Sequence, residues 1–193
     1  MKNIFISCWH NNARNWVKNE NGKWALWLKD QWAVDPKDSF NTEYRWVKKV
    51  AWSLEKLVKA FPSSEYNVVF VPEWLNLTDR IKWINNRCKI WDVCIELHMN
   101  AWWGTWLEVF CMWWSVYAHK KATDISRIIS NSIGINNRWV KSDTTTRFGR
   151  LGFIRDTKPL AFLIELGFID NESDRNLVWV KWASSLKLIL WTL

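Results

Sequence analysis

Glycine is scarce in this chain, six in 193 residues, about 3% where roughly 7% is usual, so few positions take left-handed backbone without cost. Histidine numbers three, which leaves almost no choice of residues for a site built on imidazoles. The four cysteines, Cys8, Cys88, Cys94 and Cys111, show no CxxC spacing, and three fall in strand-like runs. That argues against a structural zinc and reads them as small buried hydrophobes. No apolar run is long enough to cross a bilayer, so stable membrane insertion is not expected. The start has neither a long h-region nor a small-residue cleavage site and reads as a first strand, not an export signal. No repeat, low-complexity tract or linker interrupts the sequence, and one domain over residues 1–193 is expected. Acidic residues are outnumbered: 19 Asp and Glu face 27 Lys and Arg, a net charge of +8. An extended partner is then an anion such as nucleic acid, anionic lipid or an acidic wall polymer, and charge alone does not choose among them.

Tryptophan is in excess, at 19 residues. Many stand where backbone arguments ask for glycine: Trp102 and Trp103 precede Gly104, Trp113 and Trp114 follow a strand-like run, and Trp16, Trp24, Trp27 and Trp32 crowd a polar stretch. Three readings compete: an aromatic binding surface, unusually large core residues, or a gene in which a codon meaning glycine is rendered as tryptophan. The third fits the paired excess and deficit best.

Hydrophobic spacing predicts alternating strands and helices. Ile4 to Cys8 reads as a strand, and residues 11–41, with Asn21-Gly22 and Asp35-Pro36, as a long loop with at most short elements. Val47, Val50, Leu54, Leu57 and Val58 recur at helical spacing between lysines, which predicts an amphipathic helix over 43–61. Further helices are predicted over 77–89, 117–133 and 176–190, and strands over 66–71, 92–98, 107–112 and 160–166. Residues 136–150 read as polar connection. The alternation predicts an α/β fold whose mostly parallel central sheet is covered by helices on both faces.

Candidate chemistry lies at strand ends, where α/β folds place their sites. His10 follows the first strand, His98 ends the 92–98 strand, and Glu43 opens a helix. Two imidazoles and a carboxylate are a metal-ligand set, although a lone strand-end histidine is often a loop or core residue. Glu165 ends the apolar run 160–164, where an unpaired carboxylate is costly to bury, so it needs an ion-pair partner or a task. His119, beside Lys120 and Lys121, reads as a solvated helix residue, and Glu108 as a weaker candidate than Glu165.

Taken in order, His10, the segment Asp30 to Val34, Glu43, Leu97-His98-Met99-Asn100-Ala101 and Glu165-Leu166-Gly167-Phe168 resemble the zinc-dependent N-acetylmuramoyl-L-alanine amidases over residues 3–190. Arg138-Trp139-Val140-Lys141 is similar to the family's Arg-Gly-Val-Lys, and the run 151–157 to its segment before the catalytic strand. The resemblance implies a phosphorylase/hydrolase-like sheet and Zn2+ held by His10, Glu43 and His98, an open set of three protein ligands. It further implies Glu165 as general base, and Asn100 and Arg155 as candidate substrate contacts. The reaction implied is cleavage of the amide between the muramic lactyl group and L-alanine in peptidoglycan. A monomer acting on the cell wall, outside the cytoplasmic membrane and without nucleic acid, is the matching expectation. Trp9, Trp32, Trp106 and Trp139 stand at family glycines. Ser7 and Cys8 replace the Asp-Pro common before the first ligand, and Asn11 and Asn12 the glycines after it. Glu96 occupies a usually small or hydroxyl position on the face of His98, as a carboxylate behind the ligand or a competing ligand. Another zinc amidohydrolase on wall peptides, or a non-catalytic aromatic and basic binder of nucleic acid or glycan, are the alternatives.

Overall fold

The computed structural model describes residues 1–8, 16–18, 24–26, 34–146 and 149–190. In chain order, β1 (Lys2–Cys8) is followed by the short strands β2 (Trp16–Lys18), β3 (Trp24–Leu26), β4 (Val34–Asp35) and β5 (Asp38–Thr42). Next come α1 (Glu43–Ala60), β6 (Tyr66–Phe70), α2 (Leu77–Asn85), β7 (Val93–Asn100), β8 (Leu107–Cys111) and α3 (Val116–Ile133). The chain continues through β9 (Asn137–Ser142), α4 (Gly152–Asp156), β10 (Leu160–Phe168) and α5 (Glu172–Leu190).

The main sheet has six strands in the order β6-β1-β7-β10-β8-β9. β6, β1, β7 and β10 run parallel, while β8 meets β10 antiparallel and β9 follows β8 in parallel. The expected mostly parallel α/β sheet is therefore present. Period-2 alternation divides its residues between two cores. Ile4, Ile6, Val93, Ile95, Leu97, Val109, Phe162 and Ile164 pack with the buried stripes of α1, α3 and α5. Phe5, Cys94 and Ala161 face the other way, against Ile81 and Ile84 of α2 and Phe153 of α4.

Two elements were not foreseen in the polar stretch 136–150 and its continuation. β9 is an edge strand with two exposed residues, Arg138 and Trp139, and Val140 alone of its residues packs on the main core, so it carries little apolar signal. α4 is a five-residue turn of helix with two buried side chains, Phe153 and Ile154, too short to show a period. Residues 11–41 contribute short paired strands, as expected, where they are described.

The tryptophans divide into classes. Among the described residues, Trp102 (φ 82°), Trp103 (φ 62°) and Trp139 (φ 73°) are the non-glycine residues with positive φ, and all three are exposed. Their backbone is one that glycine adopts at no cost and other residues do not. Trp182 is instead a core residue, 1% exposed. Trp106 packs edge-on against Phe168 and lies under the Arg138 guanidinium. Trp9, Trp27 and Trp32 lie outside the described residues.

Candidate active site

Three neighbouring strands deliver side chains to one sheet face. Because Val93, Ile95, Leu97 and Met99 enter the α1/α3/α5 core, alternation turns Glu96 and His98 to the opposite face. The same argument turns Glu165 out of β10 and Glu108 out of β8, since Ile164, Leu166, Leu107 and Val109 fill the main core. Register sets them side by side: His98 pairs with Glu165, and Glu165 with Glu108. Glu43 arrives from the first position of α1, where Thr42 caps the helix by accepting from the Arg45 amide, and a helix N-terminus favours a carboxylate. Glu43 Oε1 accepts from the Met99 amide at 3.0 Å and stands 2.8 Å from His98 Nδ1. Glu43, Glu96, His98, Glu108 and Glu165 all line a cavity of about 650 Å³.

Each carboxylate has a distinct environment. Glu108 pairs with Arg138 at 3.3 Å, yet burial raises its carboxyl pKa against the pull of Arg138 and Lys141. Glu96 Oε1 is 3.0 Å from Arg80 Nη1, and its Oε2 is 3.4 Å from His98 Nε2. Burial alone pulls the His98 imidazole down, but Glu43 and Glu96 outweigh it and hold the ring at about 10. For Glu165, burial pushes the carboxyl up to about 8; the charge of His98 opposes this and Glu43, Glu108 and Glu96 reinforce it. Its Oε2 is buried with no hydrogen-bond partner among the described residues.

The donor set fits a divalent cation. Two carboxylates converge on one imidazole and demand positive charge, which a proton on the ring or a cation shared by the ring and Glu43 can meet. Among the described residues no three His, Cys, Asp or Glu side chains gather as ligands. Glu43 and His98 supply two donors of the right chemistry, and His10, the third expected ligand, lies outside the described residues.

Of the other expected site residues, Asn100 lines the cavity and reaches Glu108 Oε2 at 3.4 Å. Arg155 is not among the residues that line the cavity. Its guanidinium makes two hydrogen bonds to Asp156, at 2.7 and 2.6 Å, and the cations lining the cavity are Arg138, Lys141 and Arg150. His119 sits on α3, apart from the cavity. Arg80 was missed: it is 2% exposed on α2, and on a helix rich in polar residues nothing local distinguishes a buried arginine from a solvated one. A carboxylate at position 96, on the face of His98, was the available hint that a buried cation stands nearby.

A cavity lined by carboxylates and an imidazole beside the carboxyl ends of parallel strands lies where α/β folds place their active sites. The chain belongs to the N-acetylmuramoyl-L-alanine amidase family, whose sequence profile matches residues 29–181, and is thereby an enzyme of the amidase class. Solved structures agree in fold. An N-acetylmuramoyl-L-alanine amidase from Clostridium difficile 630 superposes with a TM-score of 0.72 at 16% identity, covering 98% of this chain and 96% of that one. The catalytic domain of the CD27L endolysin targeting Clostridia difficile gives 0.69 at 23% identity, covering 100% and 96%. The catalytic domain of CwlV, an amidase from Bacillus (Paenibacillus) polymyxa var. colistinus, gives 0.69 at 20% identity and covers both chains in full. No curated protein matches the chain.

Proposed function

We propose that the chain is a zinc-dependent hydrolase of the amide joining the N-acetylmuramoyl lactyl carbonyl to L-alanine in peptidoglycan stems. The observation that carries this reading is the meeting of Glu43, His98 and Glu165 in one cavity on adjoining elements, Glu43 and His98 2.8 Å apart. His10, Glu43 and His98 would hold the metal, which when bound supplies Lewis acidity that polarises the scissile carbonyl and acidifies water. Glu165 is the general base. Burial raises its carboxyl pKa, which makes the carboxylate a stronger base toward the attacking water and a group able to return the proton to the leaving amine. The water oxygen bonds to the lactyl carbon, the carbon–nitrogen bond breaks, and the alanine nitrogen leaves with the proton Glu165 delivers. Lys141 and Arg150, with Asn100, line the cavity where the carboxylates and amides of a stem peptide would lie. The protein would act at the cell wall, outside the cytoplasmic membrane, as a monomer; among the described residues no helix is long and apolar enough to cross a membrane.

The deciding experiment uses defined muropeptides and metal analysis together. Purified protein is expected to carry about one zinc, to release stem peptides, and to stop when a chelator strips the metal. Glu165→Gln should keep the zinc while turnover falls about 10²- to 10⁴-fold. Full activity in that variant removes Glu165 from the role of base, and turnover that survives complete zinc removal ends the metal-dependent reading.

A further inference from the structure

Pairing between β8 and β9 is irregular at one place, and that place governs which β9 side chains enter the cavity. β8 advances two residues, from Leu107 to Val109, while β9 advances three, from Asn137 to Val140. The extra residue makes a β-bulge, and within it Trp139 takes its left-handed φ of 73°. Arg138 and Lys141 are three positions apart, so strict alternation would send them to opposite faces. With the bulge between them both line the cavity, while Val140 packs on the main core and Asn137 Nδ2 donates to Ser126 of α3.

The cations of the cavity differ in what holds them. Arg138 is paired with Glu108 at 3.3 Å and lies over the Trp106 ring. Arg150 is paired at 3.5 Å with Asp143, which is fully buried. Lys141 is half-buried and makes neither a hydrogen bond nor an ion pair among the described residues; its charge reaches Glu108 as a weaker pull than that of Arg138. Its register partner on β8 is Phe110, whose own partner on β10 is Leu163. Both line the cavity, so the floor beside Lys141 is apolar and a charge pair formed over it is screened less than in open solvent. In sheet order β9 stands two strands from β10, about 10 Å across from the strand that carries Glu165.

We infer that Lys141 binds a carboxylate on the stem peptide, two or three residues beyond the scissile amide, and so selects stems in which that group is free over stems in which it is an amide. The inference rests on the proposed cleavage of the muramoyl amide. On the muramoyl side of that bond the lactyl carboxyl is consumed in the amide and the sugar is uncharged, so a carboxylate for Lys141 lies on the peptide side. An extended peptide covers about 3.3–3.6 Å per residue, which brings its second or third residue across β8 to β9. A carboxylate there gains a charge-assisted hydrogen bond from the ammonium that a carboxamide does not.

The test uses muropeptide pairs that differ in one stem carboxylate, free or as the amide, at the second or the third residue. At one of these positions the parent should turn over the acid with kcat/KM about 10-fold above the amide, the difference lying in KM. In Lys141→Gln that ratio should fall to about one, and in Lys141→Arg it should persist, because the positive charge is kept. Damage to the fold or to the catalytic groups lowers both members of a pair alike and leaves the ratio untouched, so the ratio reports the reading of charge. No preference in the parent at either position, or a preference that survives unchanged in Lys141→Gln, overturns the proposal. If the parent cleaves no member of either pair, the proposed reaction fails by itself, and calorimetric binding of the same acids and amides to the parent and to Lys141→Gln still decides whether Lys141 reads a carboxylate.

Discussion

Single residues decide what the backbone can afford here. Trp139 sits at φ 73° on β9 and is 64% exposed, so it bears the left-handed penalty of about 1–2 kcal/mol with little burial in return. Trp139→Gly should raise stability by about 1 kcal/mol after the greater chain entropy of glycine is subtracted, seen as a higher urea midpoint at unchanged slope. Trp102 and Trp103 should respond the same way, whereas Trp182→Gly should destabilise severely, because its ring fills the core. The sequence pointed to glycine sites from the paired excess and deficit, but it could not tell Trp139 from Trp106, which has no positive φ and packs on Phe168. That distinction lies in dihedral angles and neighbours. Coding DNA gives a direct check on origin: UGG at positions 9, 32, 106 and 139 ends the idea of a glycine codon rendered as tryptophan.

At the scale of elements, β10 carries the site's most exacting local geometry. Its pairing with β7 shifts between Glu165 and Phe168, and Gly167 lies inside that irregularity at φ 154°. A Cβ there would stand 2.9 Å from Ile135 Cδ1 and 3.1 Å from Asp174 Oδ2. Asp174 in turn accepts from the Phe168 amide at 2.9 Å and from Thr105 Oγ1 at 2.8 Å, so the neighbour cannot yield without loosening the end of the strand. Gly167→Ala should cost about 1–3 kcal/mol and lower kcat more than it raises KM, because Glu165 is two residues upstream; denaturant titration and muropeptide kinetics check both. The helices with clear apolar stripes were legible from spacing alone, as were the buried strands. β9 and α4 were not, because an edge strand and a single helical turn bury too little to leave a period.

For the whole molecule, charge and topology set how substrate is met. A net charge of +8 approaching an anionic wall polymer gives an attraction that salt screens over about 8–10 Å. Binding to purified sacculi should weaken as sodium chloride rises from about 0.05 to 0.5 M, while kcat on a small soluble muropeptide changes little, since the cavity chemistry is short-range; a co-sedimentation series beside a turnover assay separates the two. The sequence by itself determined the alternation of strands and helices, the placement of His98 and Glu165 on strands, and the order of motifs, because period and local chemistry are properties of neighbouring residues; both strands run past the expected end, β7 to Asn100 and β10 to Phe168. Only the tertiary structure decided that His98, Glu165 and Glu108 stand in one row, that Arg155 bonds Asp156, and that Arg80 is buried against Glu96. Those facts depend on strand order and register, which join residues tens of positions apart and leave no trace in local spacing.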